Sequence, residues 1–146
     1  EKEAFNLSEV DHLGTITKND SYIDIHIDEV LELSLVDADV IRAAKFKVVV
    51  DGVNSTGGIA IPKLLKELGV EVVELYCDPT GHFPHNPEPL KEHLGDICEL
   101  VVKEKADFGI VVDPDVDRLA FITDEGEMCW EKQRVIPFPI YRPPEL

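Results

Sequence analysis

Basic residues are scarce in this chain: 14 Lys and Arg stand against 30 Asp and Glu, for a net charge of −16 over 146 residues. Nucleic acid and anionic membrane surfaces are therefore excluded as expected partners, because either would need a basic face. The sequence also lacks any run of about 18 uncharged apolar residues, so no transmembrane helix is expected. Its first residues, EKEAFNLSEV, are charged where a signal peptide needs an apolar centre, and a cytoplasmic protein is expected. Cysteine is sparse as well: Cys77, Cys98 and Cys129 are widely spaced, with no CxxC pair. Neither a disulfide framework nor a zinc knuckle is suggested, and the three read as free thiols, Cys77 and Cys98 partly buried. The absence of an initial methionine points to an excised or processed piece.

What the chain does have is 44% hydrophobic residues, enough for the core of one ordinary domain. Residues 1–40 carry 11 acidic and 2 basic residues, so 9 of the 16 excess negative charges lie there, read as a solvated acidic face. The start reads as linker. SYIDIHIDEVLELSLVD fits two periods, with Ile23, Ile25 and Ile27 alternating and Ile23, Ile27, Val30 and Leu31 sharing a helical face; helix is favoured. A short capped turn begins at Asp37.

A regular pattern follows. KFKVVVD reads as a strand buried on both faces, TGGIAIPKLLKEL as a helix stopping at Gly69, and VEVVELY as a second strand. After a loop rich in proline and histidine, LKEHLGDICELVVKEK reads as a helix with Leu90, Leu94, Ile97, Leu100 and Val101 facing the core. FGIVV and RLAFITD supply two further strands, the last reached by a tight reversal. This order predicts a three-layer αβα domain with a mostly parallel mixed sheet of about four strands.

Between those last two strands, Asp113, Asp115 and Asp117 alternate, followed directly by Arg118. Carboxylates two residues apart on an extended strand are about 6.6 Å apart and do not converge, whereas a helix fans them around its axis. They meet only if the chain curls at the strand end, and Pro114 favours leaving the ladder there. Three hard oxygen ligands suit Mg2+, at the carboxyl end of a central strand where open α/β sheets bind ligands. An EF-hand is excluded, since its sixth and twelfth loop positions would hold Arg118 and Asp124 between strands. A haloacid-dehalogenase-type phosphatase with Asp113 as nucleophile stays open, as does a non-enzymatic divalent-ion-binding interaction module. DGVNSTGG lacks the Gly-Lys-Ser/Thr of a P-loop, and Ser55 or Thr56 is read as a helix cap. His82 and His85 are read as loop structure.

VVVDGVNSTGG, GHFPHNPEP and above all DPDVDRLAFITDEGE resemble the second domain of the α-D-phosphohexomutases, the phosphoglucomutase/phosphomannomutase family that includes phosphoglucosamine mutases. The commoner family form has glycines where Pro114 and Val116 stand. The resemblance implies that Asp113, Asp115 and Asp117 bind Mg2+, with a phosphoserine oxygen from another domain as a further ligand. It implies that Arg118 is a catalytic residue beside the transferred phosphate, and that hexose phosphate and hexose bisphosphate are the substrates of a larger parent. In PHNP the family's serine position is Pro84, so the nucleophile and the sugar-binding loops are expected in flanking domains missing from this chain. The expected organisation is a linker and helix over 1–37, the metal-binding domain over 38–128, and an irregular proline-rich tail over 129–146.

Overall fold

The computed structural model describes residues 7–129. The helices are α1 (Tyr22–Leu31), α2 (Ala38–Ala44), α3 (Gly57–Glu67) and α4 (Gly95–Glu104), and the strands are β1 (Lys47–Asp51), β2 (Glu71–Leu75), β3 (Phe108–Val112) and β4 (Leu119–Thr123). The sheet order is β2-β1-β3-β4, with β1 parallel to both β2 and β3 and β4 antiparallel to β3. The expected mixed, mostly parallel sheet of four strands is therefore present.

Three consecutive valines in β1 explain its central place, since β-branched side chains fit a strand and Val48, Val49 and Val50 are all fully buried. Val49 points to the layer built on Ile97 and Val101 of α4 and on Leu94 just before it, joined by Val111 and Ile122. Val48 and Val50 point the other way, toward Leu68 and Val70 and the partly buried Leu31, Ile41 and Ile61 from α1, α2 and α3. The result is helix, sheet and helix in three layers. Each fully buried valine stabilises the fold by about 1.5–3 kcal/mol.

Helix ends follow the local chemistry. Asp37 caps α2 through its carboxylate, which accepts the Val40 N–H at 3.1 Å. Beyond α3, Gly69 takes φ +70° while the Val70 N–H bonds the Leu65 carbonyl at 3.0 Å, a Schellman-type stop that a glycine suits. The segment over 22–31 is helical as favoured, with Ile27 buried and the alternating Ile25 exposed. An ion pair between Lys63 and Asp24 fastens α1 to α3.

One packing expectation fails. Leu90 is exposed, because the chain from Lys91 to His93 forms a 3-10 turn and α4 begins only at Gly95. Helical periodicity thus extends into the sequence further than the helix itself does. Cys77, Cys98 and Cys129 are free and partly buried. Met128 bridges to Ile122 and the Cys129 N–H bonds the Phe121 carbonyl, so the chain is still beside β4 at the last described residue. The tail expected beyond that point lies outside the described residues.

Candidate metal centre

Asp113 follows β3 directly and is 2% exposed. Its Oδ1 accepts the backbone N–H of Arg118 at 3.0 Å, and its Oδ2 lies 3.2 Å from Arg118 Nε. One carboxylate therefore clasps both ends of the same arginine and closes the loop on itself. Within that loop the Val116 N–H bonds the Asp113 carbonyl at 3.2 Å, and Val116 takes φ 62°, a left-handed conformation costly for a β-branched residue. This curl brings the carboxylates together: one oxygen each from Asp113, Asp115 and Asp117 lie within 4.8 Å of one another.

Two hydroxyls hold the curl from outside. Ser55 Oγ and Thr56 Oγ1 both donate to the Pro114 carbonyl, each at 2.8 Å. The expected capping role of these residues is not what is found, since Thr56 makes no side-chain bond to the first turn of α3. The Gly58 and Ile59 N–H groups instead bond the Ser55 and Thr56 carbonyls at 3.1 Å, so these two donors of the first turn are satisfied by the backbone. The two hydroxyls also use both lone pairs of the Pro114 carbonyl, which removes that oxygen as a ligand.

The electrostatics follow the geometry. Burial pushes the Asp113 carboxyl up, but the Arg118 N–H, hydrogen bonding with Asp117 and Asp115, and the guanidinium charge outweigh it and hold Asp113 below the ordinary carboxylate range. Asp117 is raised, chiefly through its hydrogen bond with Asp113 and then by the charges of Asp115 and Asp113. The three like charges thus split the two carboxyls, one held down and the other pushed up. The donor set fits Mg2+, since six oxygens at about 2.1 Å place neighbouring ligands about 3 Å apart, within the spread seen here.

Around this centre lies a second polar arrangement that sequence reasoning missed. Asp51, at the end of β1 and 1% exposed, accepts the Val53 N–H at 2.9 Å and lies 3.0 Å from His85 Nε2. His85 Nδ1 is 2.8 Å from the Asn86 carbonyl, so the ring is held between that carbonyl and the Asp51 carboxyl. Burial raises the Asp51 carboxyl, opposed by the Val53 N–H and by His85. From the same loop Glu88 reaches Arg118, with Oε1 2.7 Å from Nη1. His82, by contrast, is held through its backbone, its carbonyl accepting from Asn54 Nδ2 at 3.0 Å and its N–H donating to Thr80 Oγ1 at 3.3 Å. Of the expected site residues, the four from Asp113 to Arg118 come together; among the described residues no other His, Cys, Asp or Glu group has metal-binding geometry.

The glycines of the β1–α3 turn let this assembly form. A Cβ on Gly58 would lie 2.6 Å from the Cys77 backbone, and one on Gly57 would lie 2.4 Å from Val112. The start of α3 is thus pressed between the ends of β2 and β3. A cleft of about 500 Å3 lies at the opposite end of the sheet, lined by Phe46, Lys105, Asp107 and Cys129 among others, away from these residues.

Among proteins of known kind, residues 24–126 match the model of "Phosphoglucomutase/phosphomannomutase, alpha/beta/alpha domain II". A probable phosphoglucosamine mutase of Methanopyrus kandleri is 36% identical over 120 residues, covering 82% of this chain and 25% of that protein. A phosphoglucomutase/phosphomannomutase of Thermococcus kodakarensis is 38% identical over 125 residues, 85% of this chain and 27% of that one. A crystal structure of a phosphoglucomutase/phosphomannomutase family protein from Burkholderia thailandensis superposes with a TM-score of 0.56 at 32% identity, over 70% of this chain and 22% of that one. The chain thus spans about a quarter of the length of the curated relatives it matches. No helix among the described residues is long and apolar enough to cross a membrane. By the match over most of its length, the chain belongs to the phosphoglucomutase/phosphomannomutase family, as its alpha/beta/alpha domain II.

Proposed function

We propose that this chain is the Mg2+-carrying domain of a cytoplasmic phosphohexomutase, which moves a phosphoryl group between the 1 and 6 positions of a hexose phosphate through a phosphoserine and a bisphosphorylated intermediate. The observation that carries the reading is the convergence of Asp113, Asp115 and Asp117 at the carboxyl end of β3. Those three residues would hold the ion, and its chemistry when bound is to neutralise charge on the transferring phosphoryl group. Asp113 has two tasks, since it also fixes both the backbone and the side chain of Arg118. Arg118 binds and orients the phosphoryl oxygens as a catalytic residue, a role suited to a planar guanidinium that cannot lose its charge. The serine, the sugar-binding loops and the remaining walls come from flanking domains of the parent, with residues 1–37 leading in, 38–128 forming the metal-binding domain, and 129–146 leading away as a proline-rich tail.

A phosphatase using Asp113 as nucleophile is not favoured, because both of its oxygens are engaged by Arg118 and the residue is buried. A bare ion-binding module is not favoured either, given kinship with mutases.

The test uses the parent chain, primed with a hexose bisphosphate and assayed for interconversion of 1- and 6-phosphohexoses. Asp115→Asn and Arg118→Ala should each lower kcat by about 100-fold or more, the usual loss for a charge-stabilising group. The 146-residue chain alone should not turn over. Robust mutase activity from it would sink the assignment of a separate nucleophile domain, and phosphate release abolished by Asp113→Asn would favour the phosphatase.

A further inference from the structure

Arg118 is gripped by two separate parts of the fold. Its Nε faces Asp113 Oδ2 at 3.2 Å and Asp117 Oδ1 at 3.6 Å, while its Nη1 donates to Glu88 Oε1 at 2.7 Å from a loop 30 residues earlier. Nη2 has no partner among the described residues. A half-exposed ion pair such as Arg118–Glu88 contributes little to stability, so stability does not explain how firmly the Glu88 loop is tied down.

That loop is fastened at successive points. The Gly81 N–H donates to the Asn54 carbonyl at 2.9 Å, and Asn54 Nδ2 donates to the His82 carbonyl at 3.0 Å. His85 reaches the buried Asp51 at 3.0 Å. Asn86 Oδ1 then accepts the Glu88 N–H at 3.1 Å, which sets the backbone of Glu88 itself, and Pro89 is buried. Two of the anchors, Asp51 and Asn54, belong to the end of β1 and the turn after it, the same turn whose Ser55 and Thr56 hold the acidic loop. Glu88 and the Asp113–Asp117 loop are therefore referenced to one rigid point.

We infer that Glu88 is a positioning residue for Arg118: with Asp113 it fixes the plane of the guanidinium and leaves the Nη2 edge for an anion bound beside the acidic loop. Two anchors on different elements stop rotation about both the side-chain axis and the Nε–Cζ bond, which one anchor cannot do. The anion is a phosphoryl group if the mutase reading holds, and this part of the inference rests on that reading. His85 acts one step further back, through the loop that carries Glu88.

The experiment is guanidinium NMR on the 15N-labelled 146-residue chain, with Arg118→Ala used to assign the signal, followed by titration with inorganic phosphate in saturating Mg2+. In the wild type, hindered rotation should give separate Nη resonances for Arg118. Glu88→Ala should average them, Glu88→Gln, which keeps an acceptor without the charge, should give an intermediate pattern, and the melting temperature should barely move in either. Phosphate affinity should fall about fivefold in Glu88→Ala, and Glu88→Ala should change nothing further in an Arg118→Ala background. Unchanged Arg118 resonances in Glu88→Ala, or, where the wild type binds phosphate, an equal affinity in Glu88→Ala, would overturn the inference. A wild-type chain indifferent to Mg2+ and phosphate, with Arg118 signals that still depend on Glu88, would keep the positioning role and remove the mutase reading.

Discussion

The segment before β1 and the loop after β3 are both rich in acid, and the two use it in opposite ways. Ahead of α1 the side chains stand in solvent, apolar Leu7, Val10 and Ile16 as much as the charged ones, and the Lys18–Asp20 pair is 85% and 75% exposed. In the loop, three acids converge within 4.8 Å, one is buried, and each perturbs its neighbours. An excess of acid in the sequence thus says little by itself. What separates the two regions is whether neighbouring elements force the carboxylates to meet.

The most severe way to break this contrast is to disturb the scaffold. Gly58→Ala drives a methyl into the Cys77 backbone, which cannot yield as a side chain would, and should cost about 2–4 kcal/mol in a denaturant melt. Gly14→Ala, in the solvated segment with nothing within 4 Å, should leave the melt unchanged. Similar losses at both positions would mean that the leader is packed after all.

Cation binding should sharpen the contrast next. At a Mg2+ concentration ten times Kd, wild type should gain about 1.4 kcal/mol, seen as a raised melting temperature and as heat in titration calorimetry. Asp115→Asn should blunt the response and slightly stabilise the metal-free chain by removing a repelling charge. Asp20→Asn in the leader should leave the Mg2+ response intact. A response that survives Asp115→Asn at full size would remove the acidic loop from the account.

A smaller effect tests the curl itself. Val116 holds a left-handed conformation that glycine adopts freely, so Val116→Gly should stabilise the chain by about 0.5–1 kcal/mol, the relief of strain offset by greater freedom of the unfolded chain. Destabilisation would show that contact of the Val116 side chain with α3 outweighs the strain.

The gentlest probe is pH. Asp117 is held above its ordinary 3.8, so its favourable contribution is complete below that value and is lost as pH rises through the elevated one. Asp113 is held below 3.8, and its contribution is lost only as pH falls through the depressed value. Metal-free wild type should therefore lose melting temperature relative to Asp117→Asn as pH rises from about 4, because asparagine keeps a donor toward Asp113 at every pH. Saturating Mg2+ should erase the difference. Parallel profiles without metal would show that Asp113 does not raise Asp117.

The sequence revealed the four strands because their signals are local: VVV in β1 and FGIVV in β3 are short β-branched or apolar runs closed by acids. The three aspartates were legible for the same reason, as an acidic spacing at a strand end. The supports were not. Ser55 and Thr56 sit before a helix and look like caps, and only the adjacency of β1 to β3 brings them to Pro114, 59 and 58 residues away. Glu88 and His85 lie in a proline-rich loop without periodicity, and their partners Arg118 and Asp51 are fixed by tertiary path alone. Leu90 misled because helical spacing cannot register where a 3-10 turn interrupts it.

The doubled grip of Ser55 and Thr56 on one carbonyl has a consequence for time as well as for shape. A loop pinned through Pro114, closed by Asp113 on Arg118 and backed by Glu88 has little left to search when a cation arrives. Its ordering was completed when the chain folded. The slow event in capture then belongs to the ion, since Mg2+ releases its hydration water reluctantly, and a faster-exchanging cation such as Ca2+ should enter the same carboxylates sooner even where it is held less well.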